Sequence, residues 1–297
     1  MNRLNFWSNQ VQGIQTLYSS RKLRFSKENA NAYQTIFNID QKLPLRILEI
    51  GCGPGALCQV LKDWYPNANV IGLDRDHNFI EFAKENIPEV EFLEGDIYKL
   101  PFEENSFDVI LSNTVVEHIE TNTFFKTQYH LLKSGGVCLC LSQAQGVIHQ
   151  APALLSFNED ENTFWQQIEV LTNGQDDSIQ IFQLGKYKLN EQELPQTMEK
   201  FGFQDVSMSY VTTHLTPDNP QVSDRLAHAM IESDRLGDLE ILNRLFKNPL
   251  LKELQKDIEQ MIAKTNQKYD KRWVLYQKGQ KQWDTKISTT NVLRGIK

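Results

Sequence analysis

The pattern of residues 45–64 constrains the fold of this chain more than any other feature. Leu45 to Ile50 form a short apolar run, which is typical of a buried parallel strand. Three glycines follow this run directly, at Gly51, Gly53 and Gly55. Glycine adopts left-handed dihedrals without strain and lets the backbone approach a ligand closely. Because apolar residues then recur at helical spacing, the stretch predicts a strand, a glycine turn and a helix, which together open a nucleotide-type site.

Two kinds of cofactor fit such a turn. The letters G-x-G-x-x-A that begin at Gly51 match the dinucleotide pattern, and Asp74, which ends the next apolar run, could hold ribose hydroxyls of either cofactor. Glu49 adds an acid just before the turn, and Gly55 makes the turn G-x-G-x-G. Acids at Glu49 and Asp74 complement a positively charged cofactor and repel the phosphates of a dinucleotide. These acids could instead only end strands and cap helices.

Further motifs follow along the chain in a fixed order. They are Phe92-Leu-Glu-Gly-Asp96-Ile97, Phe107-Asp108-Val-Ile-Leu-Ser-Asn113 and Leu131-Leu-Lys-Ser-Gly-Gly-Val-Cys-Leu-Cys140. Together with Glu49-Ile-Gly-Cys-Gly-Pro-Gly55 and Asp74, they resemble the five core motifs of the class I S-adenosylmethionine-dependent methyltransferases. The resemblance covers residues 45–141 and weakens after residue 150. It implies S-adenosyl-L-methionine as the cofactor and S-adenosyl-L-homocysteine as its product.

The resemblance also implies the architecture. The fold class is α/β, a Rossmann-like, doubly wound, mostly parallel seven-stranded sheet whose last strand is antiparallel. Residues 1–40 are expected to form an N-terminal helical cap, and residues 41–215 with 285–297 the cofactor-binding core. A lid-like segment at 146–188 and a helical insertion at 216–284, between the last two strands, extend this core. The insertion forms either the outer wall of the acceptor pocket or an interface between two copies of the chain, so a homodimer is one arrangement that it allows.

Apolar periodicity gives the expected elements. The predicted strands span residues 45–50, 69–73, 90–93, 107–112, 135–142, 205–214 and 286–294. The predicted helices span residues 56–65, 77–87, 116–132 and 190–202, with two more within 6–37. The lid-like segment is rich in aromatic residues, namely Phe157, Phe164, Trp165, Phe182 and Tyr187. Such residues could exclude water from a reaction, as lids do.

The family pattern, carried over residue by residue, implies the cofactor site. Its core residues are Glu49, Gly51, Cys52, Gly53, Gly55, Asp74, Arg75, Asp96, Ile97, Asn113 and Thr114. Asp74 corresponds to the ribose-binding acid, and Asp96 with Ile97 to the pair that contacts adenine. In related methyltransferases an N-terminal segment folds over the cofactor, which suggests that Tyr18, Arg21 and Arg24 reach the methionine carboxylate or the substrate. The alternative is a solvated basic turn.

Methyl transfer is an in-line displacement at an activated methyl group, so the protein mainly aligns the nucleophile and excludes water. A general base is needed only where the nucleophile holds a proton at neutral pH. Asn113 ends the fourth strand and His118 follows it, so these two are the candidate catalytic residues. His118 could instead cap or pack a helix, and Glu117 is expected to be solvated or to cap one.

Net charge and one missing motif limit the classes of molecule that can accept the methyl group. The net charge of −7 argues against nucleic acid, and Ser112-Asn113-Thr114-Val115 lacks the N-P-P-Y-like tetrad of base-amine and glutamine-amide methyltransferases. A small-molecule acceptor with an oxygen, nitrogen or carbon nucleophile is therefore expected. RNA or protein methylation, or cofactor binding without transfer, are the alternatives. The four cysteines show no metal-ligand spacing, and no signal peptide or membrane span is apparent, which predicts a cytoplasmic protein with reduced thiols.

Overall fold

The computed structural model describes residues 7–151, 159–172 and 184–297. The chain divides into two compact units. The first contains the described residues within Met1–Val147, Phe182–Thr213 and Ser288–Lys297, and the second those within Ile148–Ile181 and His214–Ile287. Among the described residues, no helix combines the length and the apolar character that crossing a bilayer requires.

A seven-stranded sheet organises the chain. Its strands are β1 (Arg46–Ile50), β2 (Asn69–Asp74), β3 (Glu91–Glu94), β4 (Phe107–Asn113), β5 (Leu132–Ala151), β6 (Gln204–Leu215) and β7 (Thr285–Ile296), in the order β3-β2-β1-β4-β5-β7-β6. The pairs from β3 through β5 are parallel. The order reverses at β1, beside which β2 and β4 lie, and this reversal is the switch point where doubly wound sheets bind ligands.

The last strand, β7, runs against its neighbours. The N–H of Gly135, near the start of β5, donates to the carbonyl of Lys297 at 2.8 Å, and Lys297 donates back to Gly136 at 2.9 Å. On the other side, the hydroxyls of Thr212 in β6 and Thr289 in β7 are 3.2 Å apart. The sequence expectation of a Rossmann-like sheet with an antiparallel last strand is confirmed.

Helices cover this sheet. They are α1 (Ile14–Arg24), α2 (Lys27–Phe37), α3 (Ala56–Trp64), α4 (His77–Asn86), α5 (Thr121–Leu131) and α7 (Glu193–Lys200), with a π-helical turn at Trp7–Val11. The sheet strands bury both faces, because Ile47 and Leu48 of β1 point to opposite sides and are both fully buried. This explains why β1 reads as a continuous apolar run rather than an alternating one.

Two elements differ most from the sequence expectation, while the boundaries of the other expected strands and of the helices 56–65, 77–87 and 190–202 shift by at most three residues. A helix over 116–132 is wrong, because Val116–His118 form a single 3-10 turn and α5 begins only at Thr121. The cause is Glu120, whose carboxylate accepts the backbone N–H of Asn122 and of Thr123 and so caps α5. The fifth strand is also longer than the expected 135–142, since Leu132 already pairs with β4.

The second unit is mostly helical. It contains α6 (Glu159–Thr172), α8 (Asp224–Lys247), a 3-10 segment at Pro249–Leu254 and α9 (Gln255–Gln277). Phe164, Ile168, Leu242, Leu251, Ile258 and Met261 form its apolar core. This unit includes most of the expected insertion at 216–284 and part of the lid-like segment. Phe157 and Phe182 of that segment lie outside the described residues.

Candidate functional site

The glycine turn after β1 has the left-handed backbone that its sequence predicts. Gly51, Gly53 and Gly55 have φ values of 68°, 54° and 82°. The N–H groups of Gly51 and Cys52 both donate to the carbonyl of Leu73, at 2.8 and 3.0 Å. A side-chain carbon at Gly51 would lie 2.5 Å from the Val115 Cγ2 atom. The turn is therefore held between the ends of β2 and β4, at the switch point of the sheet.

Asp74, the last residue of β2, is joined to this turn. Its Oδ2 accepts the N–H of Gly53 at 2.8 Å, and its Oδ1 accepts the N–H of Asp76 at 2.9 Å. Burial raises the pKa of Asp74 to about 6, against the two backbone donors, which lower it. The carboxylate is thus ionised at neutral pH and is partly exposed to solvent. Two bonds leave further lone pairs free, so the group can still accept hydroxyl donors of a ligand.

Glu49 is the most perturbed acid of the site. It is buried in β1 and accepts the thiol of Cys58 at 2.9 Å. Burial, with a smaller contribution from the nearby Asp74 carboxylate, raises its pKa to about 8, against the Cys58 thiol and Arg21, which lower it. A buried acid that is neutral near pH 7 can ionise when a cation approaches, because opposite charge favours the ionised form.

Thr114, at the end of β4, joins the sheet to the N-terminal helices. It has a left-handed φ of 56°, which is unusual for a β-branched residue. Its N–H donates to Leu141 at 2.7 Å, its hydroxyl donates to the Asn113 carbonyl at 2.7 Å, and Arg21 of α1 donates to that hydroxyl at 2.6 Å. Arg21 is thereby placed at the carboxyl edge of the sheet. This contact supports the interpretation of Arg21 as a site residue and argues against the solvated turn.

The other expected site residues are less closely grouped. Cys52 is buried, and burial raises the pKa of its thiol to about 11. Arg75 and Asp96 are exposed, and Asp96 accepts the N–H of Tyr98 at 3.1 Å, while Ile97 is buried. Tyr18 does not reach the sheet edge through its hydroxyl, because that hydroxyl donates to Gln59 of α3 at 2.8 Å.

His118 lies in the 3-10 turn after β4. Its Nδ1 accepts the N–H of Gly185 at 3.1 Å, and its Nε2 is 3.7 Å from the Glu117 carboxylate. The Trp7 ring packs edge-on at 4.8 Å between ring centroids. Burial lowers the pKa of His118, while Glu117 raises it. Because Nδ1 accepts a backbone N–H, the neutral ring carries its proton on Nε2, and a role as base requires release from Gly185.

Some residues near the site belong to no sequence motif. Ser8 donates from its N–H and its hydroxyl to the carboxylate of Asp76, both at 2.9 Å. Asp76 also caps α4 through Asn78. An acid just before a helix signals a cap in the sequence, but nothing in the sequence pairs it with Ser8. Trp7 and Ser8 thus fasten the N-terminal turn to residues that follow β2 and β4.

The residues present fit a cofactor with an amino-acid end and a ribose. Among the described residues, Asn113 Oδ1, Arg21 Nη1 and Glu117 Oε2 are buried without a hydrogen-bond partner. They offer acceptors for an ammonium and a donor for a carboxylate. Unsatisfied buried polar atoms are costly, so their grouping near the glycine turn indicates a place for a polar ligand.

Comparison with known proteins finds a methyltransferase domain in the first unit. Residues 48–140 match a family model described as a methyltransferase domain. These residues, which contain the glycine turn and the ends of β2 and β4, are therefore similar to a class I S-adenosylmethionine-dependent methyltransferase domain. A demethylmenaquinone methyltransferase of Lactococcus lactis is 37% identical over 108 residues, which cover 33% of this chain and 41% of that protein. A malonyl-[acyl-carrier protein] O-methyltransferase of Priestia megaterium is 34% identical over 109 residues, which cover 36% of this chain and 39% of that protein.

A solved structure shows that the methyltransferase fold extends over this chain. Phosphoethanolamine N-methyltransferase 2 of Haemonchus contortus superposes with a TM-score of 0.53 at 20% identity, covering 98% of this chain and 60% of that one. The chain spans about two fifths of the length of the curated relatives that it matches. Those sequence matches each cover only about a third of this chain, so the fold is shared more widely than the sequence.

Proposed function

We propose that this chain transfers the methyl group of S-adenosyl-L-methionine to a small-molecule acceptor. The observation that carries the proposal is the bond between the Asp74 carboxylate and the Gly53 N–H, which holds at the glycine turn the acid that we expect to bind ribose. Open α/β sheets bind their ligands at this edge. When bound, the cofactor supplies a methyl group that its sulfonium already activates.

Different residues of the chain bind different parts of such a cofactor. Asp74 accepts ribose hydroxyls, while Asp96 and Ile97 lie after β3 where the family binds adenine. Glu49 complements the positive charge, and ionises more readily as that charge approaches. Arg21 and the Asn113 amide oxygen, both with an unpartnered buried atom among the described residues, hold the amino-acid end. The left-handed glycines keep side chains out of the turn.

Transfer itself requires alignment of the acceptor and exclusion of water. Asn113 is the candidate for alignment, because it is buried at the end of β4. His118 is the candidate base for an acceptor that holds a proton, and it becomes available when Gly185 moves away from Nδ1. For an acceptor that is already deprotonated, His118 has no proton to take.

A small-molecule acceptor is favoured by two observations. The net charge of −7 disfavours phosphate backbones, and the relatives named above are named for menaquinone and acyl-carrier chemistry. The reacting atom is an oxygen, nitrogen or carbon nucleophile. A cytoplasmic location and a homodimer stay predictions from the sequence.

The test is a transfer assay with a donor labelled with tritium in its methyl group. The full chain is mixed with pooled small metabolites, with RNA or with protein, and label is followed into each fraction. The proposal expects label in the small-molecule fraction, and at least about tenfold less there when Asp74→Ala replaces the wild type at a limiting donor concentration. Label in RNA or protein alone would overturn the choice of acceptor, and donor binding without any transfer would leave a cofactor-binding protein.

A further inference from the structure

Two guanidinium groups lie near each other in the first unit, and neither forms an ion pair with a described residue. Arg21 and Arg24 are three residues apart on α1. The Nη1 atoms of both are inaccessible to solvent and have no hydrogen-bond partner among the described residues. Arg235 and Arg272, by contrast, form ion pairs with acids. Burial, and then the nearby Arg24 guanidinium, lower the pKa of Arg21 to about 9. Unpaired buried charge is costly, so the pair indicates a place that suits an anion.

The surroundings separate the two arginines. Arg21 donates to Thr114, and the acids Glu49 and Glu117 both act on it electrostatically. Arg21 therefore belongs with the cofactor site. The neighbour that acts electrostatically on Arg24 is Tyr33 of α2. Arg24 thus has no carboxylate to offset its charge among the described residues, and it is the more available of the two.

Two further hydroxyl groups lie beside Tyr33, the neighbour of Arg24. The Tyr33 hydroxyl neighbours those of Thr213 in β6 and Thr290 in β7. All three residues are buried, and the threonine hydroxyls lie close enough to Tyr33 to lower its pKa. None of the three hydroxyls, however, has a partner with hydrogen-bond geometry among the described residues. Burial raises the pKa of Tyr33, and the Arg24 guanidinium acts against that rise. Three buried donors beside a cation form a polar patch that apolar packing does not explain.

A guanidinium fork and hydroxyl donors together match one kind of group. A carboxylate or phosphate offers several acceptor oxygens, and arginine binds such groups through parallel, charge-assisted bonds. We propose that Arg24, Tyr33, Thr213 and Thr290 bind the carboxylate or phosphate of an anionic methyl acceptor. The proposal rests on the proposed function, because it names the acceptor of that reaction as an organic acid or a phosphate ester.

The experiment uses the full chain saturated with S-adenosyl-L-homocysteine. Inorganic phosphate and acetate are titrated in turn at constant ionic strength, and the midpoint of thermal unfolding is followed. Ligands that bind only the folded state raise this midpoint in a saturable way. The wild type should show a saturable rise with at least one of the anions, and the anion with the larger effect identifies the acceptor group.

Three variants locate the effect. Arg24→Gln should weaken anion binding by at least about tenfold, because the charge-assisted hydrogen bonds of the guanidinium are lost. Tyr33→Phe keeps the aromatic ring and should weaken anion binding by a smaller factor. If circular dichroism shows that Arg24→Gln does not fold, Tyr33→Phe serves as the test variant. Lys27→Gln removes an exposed cation at the start of α2 and should leave the anion affinity unchanged.

Three results would overturn the proposal. They are the absence of saturable binding of either anion to the wild type, equal binding by Arg24→Gln, and a loss of S-adenosyl-L-homocysteine affinity in Arg24→Gln as large as in Arg21→Gln. The last would assign both arginines to the cofactor. If the wild type binds an anion through Arg24 but no S-adenosyl-L-homocysteine, the proposed function fails and the anion site stands.

Discussion

Asp74 Oδ2 accepts the N–H of Gly53 at 2.8 Å. The two residues belong to different strand-to-helix connections, so this bond makes the glycine turn and the acid after β2 one unit. The second carboxylate oxygen accepts the N–H of Asp76, which in turn binds Ser8. A change at Asp74 therefore acts on the shape of the turn as well as on any ligand that the carboxylate contacts.

The first prediction concerns the close packing of the glycine turn. Gly51→Ala places a carbon 2.5 Å from Val115 Cγ2, in a residue with a φ of 68°. Because valine has one strongly preferred rotamer, the contact cannot relax cheaply. We expect a loss in the free energy of unfolding of roughly 2–4 kcal/mol, the sum of overpacking and a left-handed alanine.

Gly135→Ala is the matched control, because its φ is 77° and no atom lies within 4 Å of the added carbon. Gly135→Ala should lose only the part of the free energy of unfolding that comes from a left-handed alanine, about 1 kcal/mol. Urea unfolding of both variants measures the difference. Equal losses would show that Val115 does not confine the turn.

The second prediction concerns Glu49. Burial raises its pKa from 4.5 to about 8, so between these values the folded state holds a proton that the unfolded state has lost. The carboxyl therefore costs stability increasingly as pH rises from 4.5 to 8, and the cost then levels. Glu49→Gln should remove this cost. In urea unfolding, the free energy of unfolding of the variant should therefore rise relative to that of the wild type as the pH increases from 4.5 to 8. A difference that does not change with pH would contradict the buried, neutral acid.

The same group predicts a proton release on cofactor binding. The positive cofactor favours the ionised form of Glu49, so binding at pH 7 should expel a proton. Calorimetry in buffers of different ionisation enthalpy measures this, and Glu49→Gln should abolish it. Proton uptake in the wild type would place Glu49 away from the cofactor charge.

The third prediction concerns an ion-pair network in the second unit. Arg272 is buried and donates to Asp218 at 2.8 Å and through two nitrogens to Asp284. Arg272→Met leaves Asp218 buried without a counter-charge, which should cost about 3–5 kcal/mol. Lys271→Met alters the exposed neighbour and should cost little. Thermal unfolding of the two variants measures the difference. Equal shifts of the unfolding midpoint would mean that the ion-pair network does not contribute to stability.

The fourth prediction concerns His118. Burial lowers its pKa, and its Nδ1 accepts the N–H of Gly185. We expect the neutral Nε2–H tautomer at pH 7, visible in the nitrogen-15 shifts of the ring. Once the acceptor is known, His118→Ala should lower kcat by about 100-fold or more if the residue is the base, with donor affinity unchanged. Equal losses of both would indicate a packing role.

Much of the sheet could be predicted from the sequence, because burial on both faces leaves a legible apolar run at β1 and glycines mark its end. The start of α5 could not, since a glutamate cap at Glu120 is less typical than serine, threonine or aspartate. The contact of His118 with Gly185 joins residues 67 positions apart, and no local pattern encodes it.

The candidate site was predicted unevenly for the same reason. Glu49, Asp74 and Asn113 end strands or precede turns, so topology alone brings them to one edge. Arg21 was predicted only through the family resemblance, and its bond to Thr114 depends on a left-handed threonine that the sequence does not announce. The second unit lies outside the motifs of the family, and its role in catalysis stays a prediction.

The most direct measurement is the calorimetric titration of the full chain with S-adenosyl-L-homocysteine. We expect one site per chain, and Asp74→Ala should bind at least about tenfold more weakly, because charge-assisted hydrogen bonds to the ribose are lost. Asp63→Ala, which removes an exposed acid of α3, should bind as the wild type does. Undiminished affinity in Asp74→Ala, or tighter binding of NAD than of S-adenosyl-L-homocysteine by the wild type, would contradict the account.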